Sequence, residues 1–168
     1  MNKRTLLIGV ILGMVLSIFV TGLAFKTAAP TMFFNEVNVP YSFDKTVRMI
    51  QDRINRQEGW HVTGVVDQQK EILEHGGEDV GKVKIIKFCN GKLSGEMLSR
   101  DKSKFMAAKM PLSIAVYEKS DGRVTIGLMN GYFMARLFSG SDEAVIMEQV
   151  VQDMEKILGF IHFRYTLF

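Results

Sequence analysis

The chain has a single cysteine, Cys89, and only three histidines in 168 residues. One cysteine cannot form an intramolecular disulfide, and it cannot supply the cysteine pair of a structural zinc site. The histidines are far apart in the sequence, and none has the spacing of a metal-ligand pair. No Cys-x-x-Cys-His motif occurs, which excludes covalent haem attachment. We therefore predict no bound cofactor.

Sequence motifs of common enzymes are absent as well. The chain has no nucleophile elbow, no P-loop and no dinucleotide-binding fingerprint. The chain also lacks a basic cluster. After Lys3 and Arg4, the remaining chain has 19 basic and 18 acidic residues, so its formal net charge is only +1. Nucleic-acid binding requires a clustered positive face, which this balance does not provide. The sequence therefore predicts a noncatalytic protein without a nucleic-acid partner.

The longest apolar run of the chain stands at its beginning. From Thr5 to Phe25 no residue is charged, and nearly every residue is apolar or small. A helix of about 20 residues spans the hydrocarbon core of a bilayer, whereas cleavable signals have apolar regions of about 7–15 residues. We interpret residues 1–25 as an uncleaved signal-anchor that contacts the lipid bilayer. A cleaved signal sequence and a buried core helix are the alternatives.

The charges at the two ends of this run predict its orientation. Lys3 and Arg4 precede the run, whereas Lys26 alone follows it. The positive-inside rule therefore places the N-terminus in the cytoplasm and the chain after Phe25 outside it. This predicts a single-pass protein of the inner (cytoplasmic) membrane with its domain in the periplasm or outside the cell. Residues 26–31 are predicted to be a short linker that keeps the domain close to the bilayer.

Residues 32–168 have the pattern of one α+β domain. Apolar alternation predicts strands at residues 32–39, 60–66, 82–90, 112–118 and 123–129. Apolar spacing and capping residues predict helices between Ser42 and Gly59, at residues 67–75, 91–99 and 102–109, and from Ser141 onward. Residues 132–138 are predicted to be a loop or a helical turn. We expect an antiparallel-rich sheet of about five strands with helices on one face.

Short motifs in this domain resemble those of a known family. They are Phe88-Cys89-Asn90, Met110-Pro111-Leu112 before Ile114-Ala115-Val116-Tyr117-Glu118, Asp121-Gly122, and Met129-Asn130, together with the first strand and helix. With these motifs the chain resembles the uncharacterised bacterial and archaeal family called domain of unknown function 302. The resemblance extends from about Phe33 to Phe160. Gly91 and Gly131 stand where family patterns commonly have proline.

The family resemblance implies a fold rather than an activity. It implies a sheet-and-helix fold of the TATA-box-binding-protein class, often dimeric, with no DNA binding. The family has no agreed activity, so the resemblance implies no reaction and no catalytic residues.

Four residues at predicted strand ends are candidates for a ligand or partner site. Cys89 and Asn90 end one strand, and Met129 and Asn130 end another. If the two strand ends lie at the same edge of the sheet, the four residues line one pocket. The alternative is that both asparagines cap turns and that Cys89 packs as a small hydrophobic residue.

Nine of the eleven methionines follow the apolar run. Methionine and cysteine can bind copper outside the cytoplasm, which makes Cys89 with Met129 a candidate metal-ligand pair. Core filling is the preferred interpretation, because positions such as Met147 and Met154 fall on an apolar helix face. The one local cluster in the sequence is Met106, Met110, Met129 and Met134.

We expect a membrane-anchored, extracytoplasmic binding or accessory domain. It would bind a partner protein or a small ligand, as a homodimer or as an accessory subunit of a membrane complex. The aromatic tail predicts an end that is packed or covered by a partner; its aromatic residues are Phe160, Phe163, Tyr165 and Phe168. The alternative is a redox or metal-handling protein that works through Cys89. A hydrolase or transferase would need a nucleophile–base pair, and the sequence does not reveal one.

Overall fold

The computed structural model describes residues 2–165, which form six α-helices and five β-strands. The helices are α1 (Lys3–Phe33), α2 (Phe43–Arg56), α3 (Gln68–Glu74), α4 (Gly91–Leu98), α5 (Gly131–Leu137) and α6 (Asp142–Ile157). The strands are β1 (Phe34–Val39), β2 (Trp60–Asp67), β3 (Val83–Asn90), β4 (Leu112–Glu118) and β5 (Val124–Met129). Two 3₁₀-helical segments, Asp101–Lys109 and Leu158–Ile161, complete these elements.

The five strands form one antiparallel sheet in the order β1-β5-β4-β3-β2. This confirms the predicted α+β class with its five-stranded antiparallel sheet. Because every neighbouring pair is antiparallel, the starts of β1, β2 and β4 meet the ends of β3 and β5 at one edge. We call this edge the strand-end edge, and it is marked by Phe34, Trp60, Asn90, Leu112 and Met129.

Helices α2 and α6 pack on one face of the sheet and form the core with it. On α2, Ile50 and Ile54 recur at helical spacing and are fully buried. They belong to one buried cluster with Ile114 of β4 and Ile126 of β5, which point to the same face of the sheet. The hairpin turn between these two strands contains Gly122, whose φ of +81° favours glycine.

Helix α1 is longer than the predicted anchor. Residues 26–31, predicted to be a linker, are helical, and the helix continues through Pro30 to Phe33. Strand β1 therefore begins at Phe34 rather than at residue 32. Alanine favours helix most strongly of all residues, and Ala28-Ala29 precede the proline. The carbonyl of Pro30 accepts the backbone N–H of Phe34, which closes the last turn of the helix.

The second half of the domain differs from the prediction at one helix. Residues 132–138, predicted to be a loop or a helical turn, belong mostly to α5.

In the aromatic tail, Phe163 is 3% exposed and belongs to the core, and its ring packs edge-on against Tyr165. The predicted packed end is thus present as far as residue 165. Phe168 lies outside the described residues.

The 3₁₀ segment Asp101–Lys109 is fixed to the start of α6. The hydroxyl of Ser103 donates a hydrogen bond to the buried carboxylate of Glu143. This hydrogen bond is the main reason why the pKa of Glu143 is lowered to about 2, so the carboxylate is ionised at neutral pH. The contact holds in place the segment that carries Met106, whose side chain is buried.

Candidate functional site

A cavity of about 680 Å³ lies at the strand-end edge of the sheet. Its wall includes the first residues of β1, β2 and β4 and the last residues of β3 and β5. Residues of α4, the 3₁₀ segment Asp101–Lys109, α5 and α6 also contribute to the wall. Ligand cavities commonly have volumes of about 300–1,000 Å³. We call this space the strand-end cavity.

Methionine is the most frequent residue in the wall of the strand-end cavity. Seven of the nine methionines that follow Lys26 line it: Met97, Met106, Met110, Met129, Met134, Met147 and Met154. They come from α4, the 3₁₀ segment and the residue after it, β5, α5 and α6, so the fold gathers side chains that are far apart in the sequence. Methionine has an unbranched, polarisable side chain that adapts to ligands of different shape.

The wall of the cavity extends onto the sheet face opposite α2 and α6. Ile85, Ala115, Gly127 and Glu36 lie side by side on four adjacent strands and all line the cavity. The surface of the sheet is recessed at Ala115 and Gly127, because alanine has only a methyl group and glycine has no side-chain heavy atom. The ring of Tyr117 lies beside Gly127, since a Cβ atom at position 127 would be only 3.2 Å from Tyr117 Cε1.

Three of the residues predicted for the site line the cavity, and the fourth supports its wall. Cys89, Asn90 and Met129 are lining residues. Asn130 is fully buried, and the adjacent Gly131 lines the cavity. The Oδ1 atom of Asn130 accepts a hydrogen bond of 3.1 Å from the Phe133 N–H and thereby caps α5.

Asn90 has the same capping role at the start of α4. Its Oδ1 atom accepts a hydrogen bond of 3.1 Å from the Leu93 N–H. Gly59 makes room for this side chain, because a Cβ atom at position 59 would be 2.8 Å from Asn90 Nδ2. Gly59 also has a positive φ of 77°, which favours glycine. Both asparagines therefore cap helices, which is the alternative that the sequence left open.

Cys89 is half-buried, and its sulfur shares a hydrogen bond with the hydroxyl group of Ser94. The Sγ atom lies 3.1 Å from Ser94 Oγ on α4. Strand β4 separates Cys89 from Met129, so their backbones are at least about 10 Å apart at the usual strand spacing. Within residues 2–165, no three His, Cys, Asp or Glu side chains are grouped to hold a metal ion. The proposed metal-ligand pair stays a prediction.

Three lining residues are charged, and one of them is neutralised locally. Lys119 and Tyr117 both donate hydrogen bonds to Glu36. The hydrogen bond from Lys119, followed by that from Tyr117, holds the pKa of Glu36 below its usual value. Burial, and then the nearby Glu36, raises the pKa of Tyr117. The other two charged lining residues are Lys87 and Lys109.

Sequence analysis missed several residues of this site. Trp60 is 5% exposed and belongs to the core, but it also lines the cavity. Its indole N–H donates a hydrogen bond of 3.0 Å to Asp153, which fixes the ring beneath α6. Asn35 and Lys109 were not identified. The sequence does show that Asn35 lies in the first predicted strand and that Lys109 lies just before the fourth. This information could not place them in one site until the order of the strands in the sheet was known.

Comparison with known proteins agrees with this architecture. The sequence model of the family described as domain of unknown function DUF302 matches residues 35–161. The crystal structure of an uncharacterized conserved DUF302 protein from Bacillus stearothermophilus is similar, with a TM-score of 0.67 and 18% sequence identity. The similarity covers 78% of this chain and 99% of that chain, and at this identity it shows the fold alone. No curated protein matches the chain. The family match covers most of the chain, and the protein therefore belongs to the DUF302 family.

Proposed function

We propose that this protein is a membrane-anchored, extracytoplasmic binding domain that takes an apolar molecule into the strand-end cavity. The observation that carries the proposal is the gathering of seven methionines around about 680 Å³ of space. Four of them, Met110, Met129, Met134 and Met147, are only half-buried, so they have surface that a ligand could cover. Burying apolar surface contributes about 25 cal/mol per Å².

One polar atom of the cavity wall is buried without a hydrogen-bond partner among residues 2–165. This atom is Oδ1 of Asn35, which lines the cavity. A buried acceptor without a partner costs about 1–3 kcal/mol. An apolar ligand donates no hydrogen bond at this point, so this cost is present in the ligand-free and the ligand-bound protein.

The chemistry of the wall favours binding over catalysis. The described lining contains Cys89, Ser94 and Ser113 as possible nucleophiles, but it contains no histidine. Its one carboxylate, Glu36, is already hydrogen-bonded to Lys119 and Tyr117. A nucleophile needs an adjacent base for activation, and the described part of this wall offers neither an imidazole nor a free carboxylate for that role.

Helix α1 supports the membrane anchor. Leu6–Lys26 is a 21-residue stretch that is apolar and long enough to cross a membrane, although signal sequences share these properties. The helix continues without interruption to Phe33, whose ring contacts Phe133 of α5 with 4.9 Å between centroids. The end of α1 is therefore packed into the domain, so an anchor continuous with this end would hold the domain close to the membrane.

The partners of the anchored domain, a second copy of the chain or the other subunits of a membrane complex, stay predictions. A homodimer, or a place as an accessory subunit of a membrane complex, is compatible with an anchored domain. The alternative of a redox or metal-handling protein would use Cys89, whose sulfur is beside Ser94.

Narrowing the cavity should weaken ligand binding. Ala108 lines the cavity, so a phenylalanine side chain at this position would take up space that the ligand needs, and Ala108→Phe should reduce affinity about tenfold, which corresponds to about 1.4 kcal/mol. The measurement is quenching of Trp60, the only tryptophan, by a dibrominated alkane added to full-length protein in phosphatidylcholine vesicles.

Ala107 supplies the matched control for this experiment. It is also exposed and is next to Ala108, but it is not a lining residue. Ala107→Phe should leave quenching unchanged. Equal quenching of both variants and the parent protein, or no quenching at all, would contradict binding in the cavity.

Replacing Asn35 should stabilise the ligand-free protein. Asn35→Leu removes the unpaired buried acceptor and should raise the free energy of unfolding by about 1 kcal/mol. Asn38→Leu is the control, because Asn38 accepts a hydrogen bond of 2.9 Å from Thr125 and its loss should destabilise. Urea unfolding followed by Trp60 fluorescence measures both. Equal destabilisation by the two changes would show that Asn35 is satisfied.

The anchor predicts retention in membranes after an alkaline carbonate wash. The full-length protein should stay in the membrane pellet with its N-terminus intact. Leu12→Arg should weaken insertion, because arginine at a helix centre costs about 2.5–3.5 kcal/mol on insertion scales, whereas Leu12→Ala should not release the protein. Mature protein that begins near residue 25–30 and appears in the wash would contradict the anchor.

A further inference from the structure

The unpaired charges at the cavity are both positive. Lys87 and Lys109 line it and are exposed, and neither has an ion-pair partner within residues 2–165. Glu36, the remaining charged lining residue, is paired with Lys119. The cavity thus combines an apolar interior with a net positive rim.

Both lysines lie near the start of β4. Lys87 of β3 lies directly opposite Ser113 on the neighbouring strand β4, and Lys109 is three residues before Leu112, the first residue of β4. Both lysines belong to the wall of the cavity that the methionines also line, so an anionic group in it would be attracted by two ammonium groups while an apolar chain contacts methionine side chains. This arrangement fits a molecule that is charged at one end and apolar along its length.

We infer that the ligand is a long-chain amphiphile with an anionic headgroup, drawn from the bilayer that holds α1. The apolar chain lies among the methionines, and the headgroup lies at Lys87 and Lys109. This inference rests on the proposed function and names the ligand class for the same cavity.

The distance between the membrane span and the cavity supports this source. Phe33 is the seventh residue after Lys26 in the same helix, which corresponds to a rise of about 10 Å. A headgroup layer is about 5–8 Å thick. Phe34 follows directly, begins β1 and lines the cavity. The cavity wall therefore starts just beyond the lipid headgroups.

Three elements that contribute lining residues also carry exposed apolar side chains. Phe34, Phe105 and Leu137 are 58%, 62% and 57% exposed. They belong to β1, the 3₁₀ segment and α5, three elements that contribute lining residues. Large apolar side chains that reach a bilayer surface insert favourably among lipid headgroups.

The test uses full-length protein in phosphatidylcholine vesicles with Trp60 as the reporter. Dibromostearate and its methyl ester have the same chain and differ only in headgroup charge. At mildly alkaline pH, dibromostearate should quench Trp60 at a concentration about fivefold lower than the ester, because each exposed ion pair contributes up to about a factor of five. Excess inorganic phosphate should not reverse the quenching, since it has no chain.

Lysine variants identify the headgroup site. Lys87→Met with Lys109→Met should remove the preference for dibromostearate. Lys70→Met with Lys92→Met changes the net charge equally outside the cavity lining and should keep the preference.

Equal quenching by the two compounds would overturn the inference and leave apolar binding intact. Reversal by inorganic phosphate would overturn it in favour of a simple anion site. A preference that survives the Lys87 and Lys109 changes would overturn the headgroup assignment. No quenching by either compound would contradict the proposed function as well.

Discussion

Two asparagine caps determine where the sheet ends and therefore where the cavity lies. β3 and β5 flank β4 and run in the same direction, so Asn90 and Asn130 stand on either side of the start of β4. Each side chain accepts a backbone N–H three residues later and turns a strand into a helix. A cap of this kind contributes about 1 kcal/mol. Helices α4 and α5 consequently leave the sheet at the same edge and bring their methionines to the cavity.

The elements of the fold could largely be predicted because their signals are local. Alternating residues such as Ile114 and Val116 predicted a strand, and the apolar stripe through Ile50 and Ile54 predicted a helix. The conformation of residues 26–31 could not be predicted in this way, because Pro30 and the alanines before it have opposing preferences. Helix α5 was uncertain because seven residues are too few to establish a helical period.

The cavity could be predicted only in part because it depends on strand order. Cys89, Asn90 and Met129 were identified because strand ends are visible in the sequence. The methionine wall was identified only in part: Met106, Met110, Met129 and Met134 were recognised as a cluster, but core filling was preferred for the methionines. A methionine on an apolar helix face has the same pattern whether it fills a core or lines a cavity. Lys109 and Asn35 became informative only when the sheet placed them beside residues distant in sequence.

Methionine methyl groups offer the most direct test of the central claim, that the strand-end cavity holds an apolar chain. Isotope-labelled methionine methyl resonances of the full-length protein in lipid nanodiscs would be recorded while stearate is added. The seven lining methionines should shift together, whereas Met49, which does not line the cavity, should not. Shifts at Met49 equal to those of the lining residues, or no shift at any of the seven, would contradict the account.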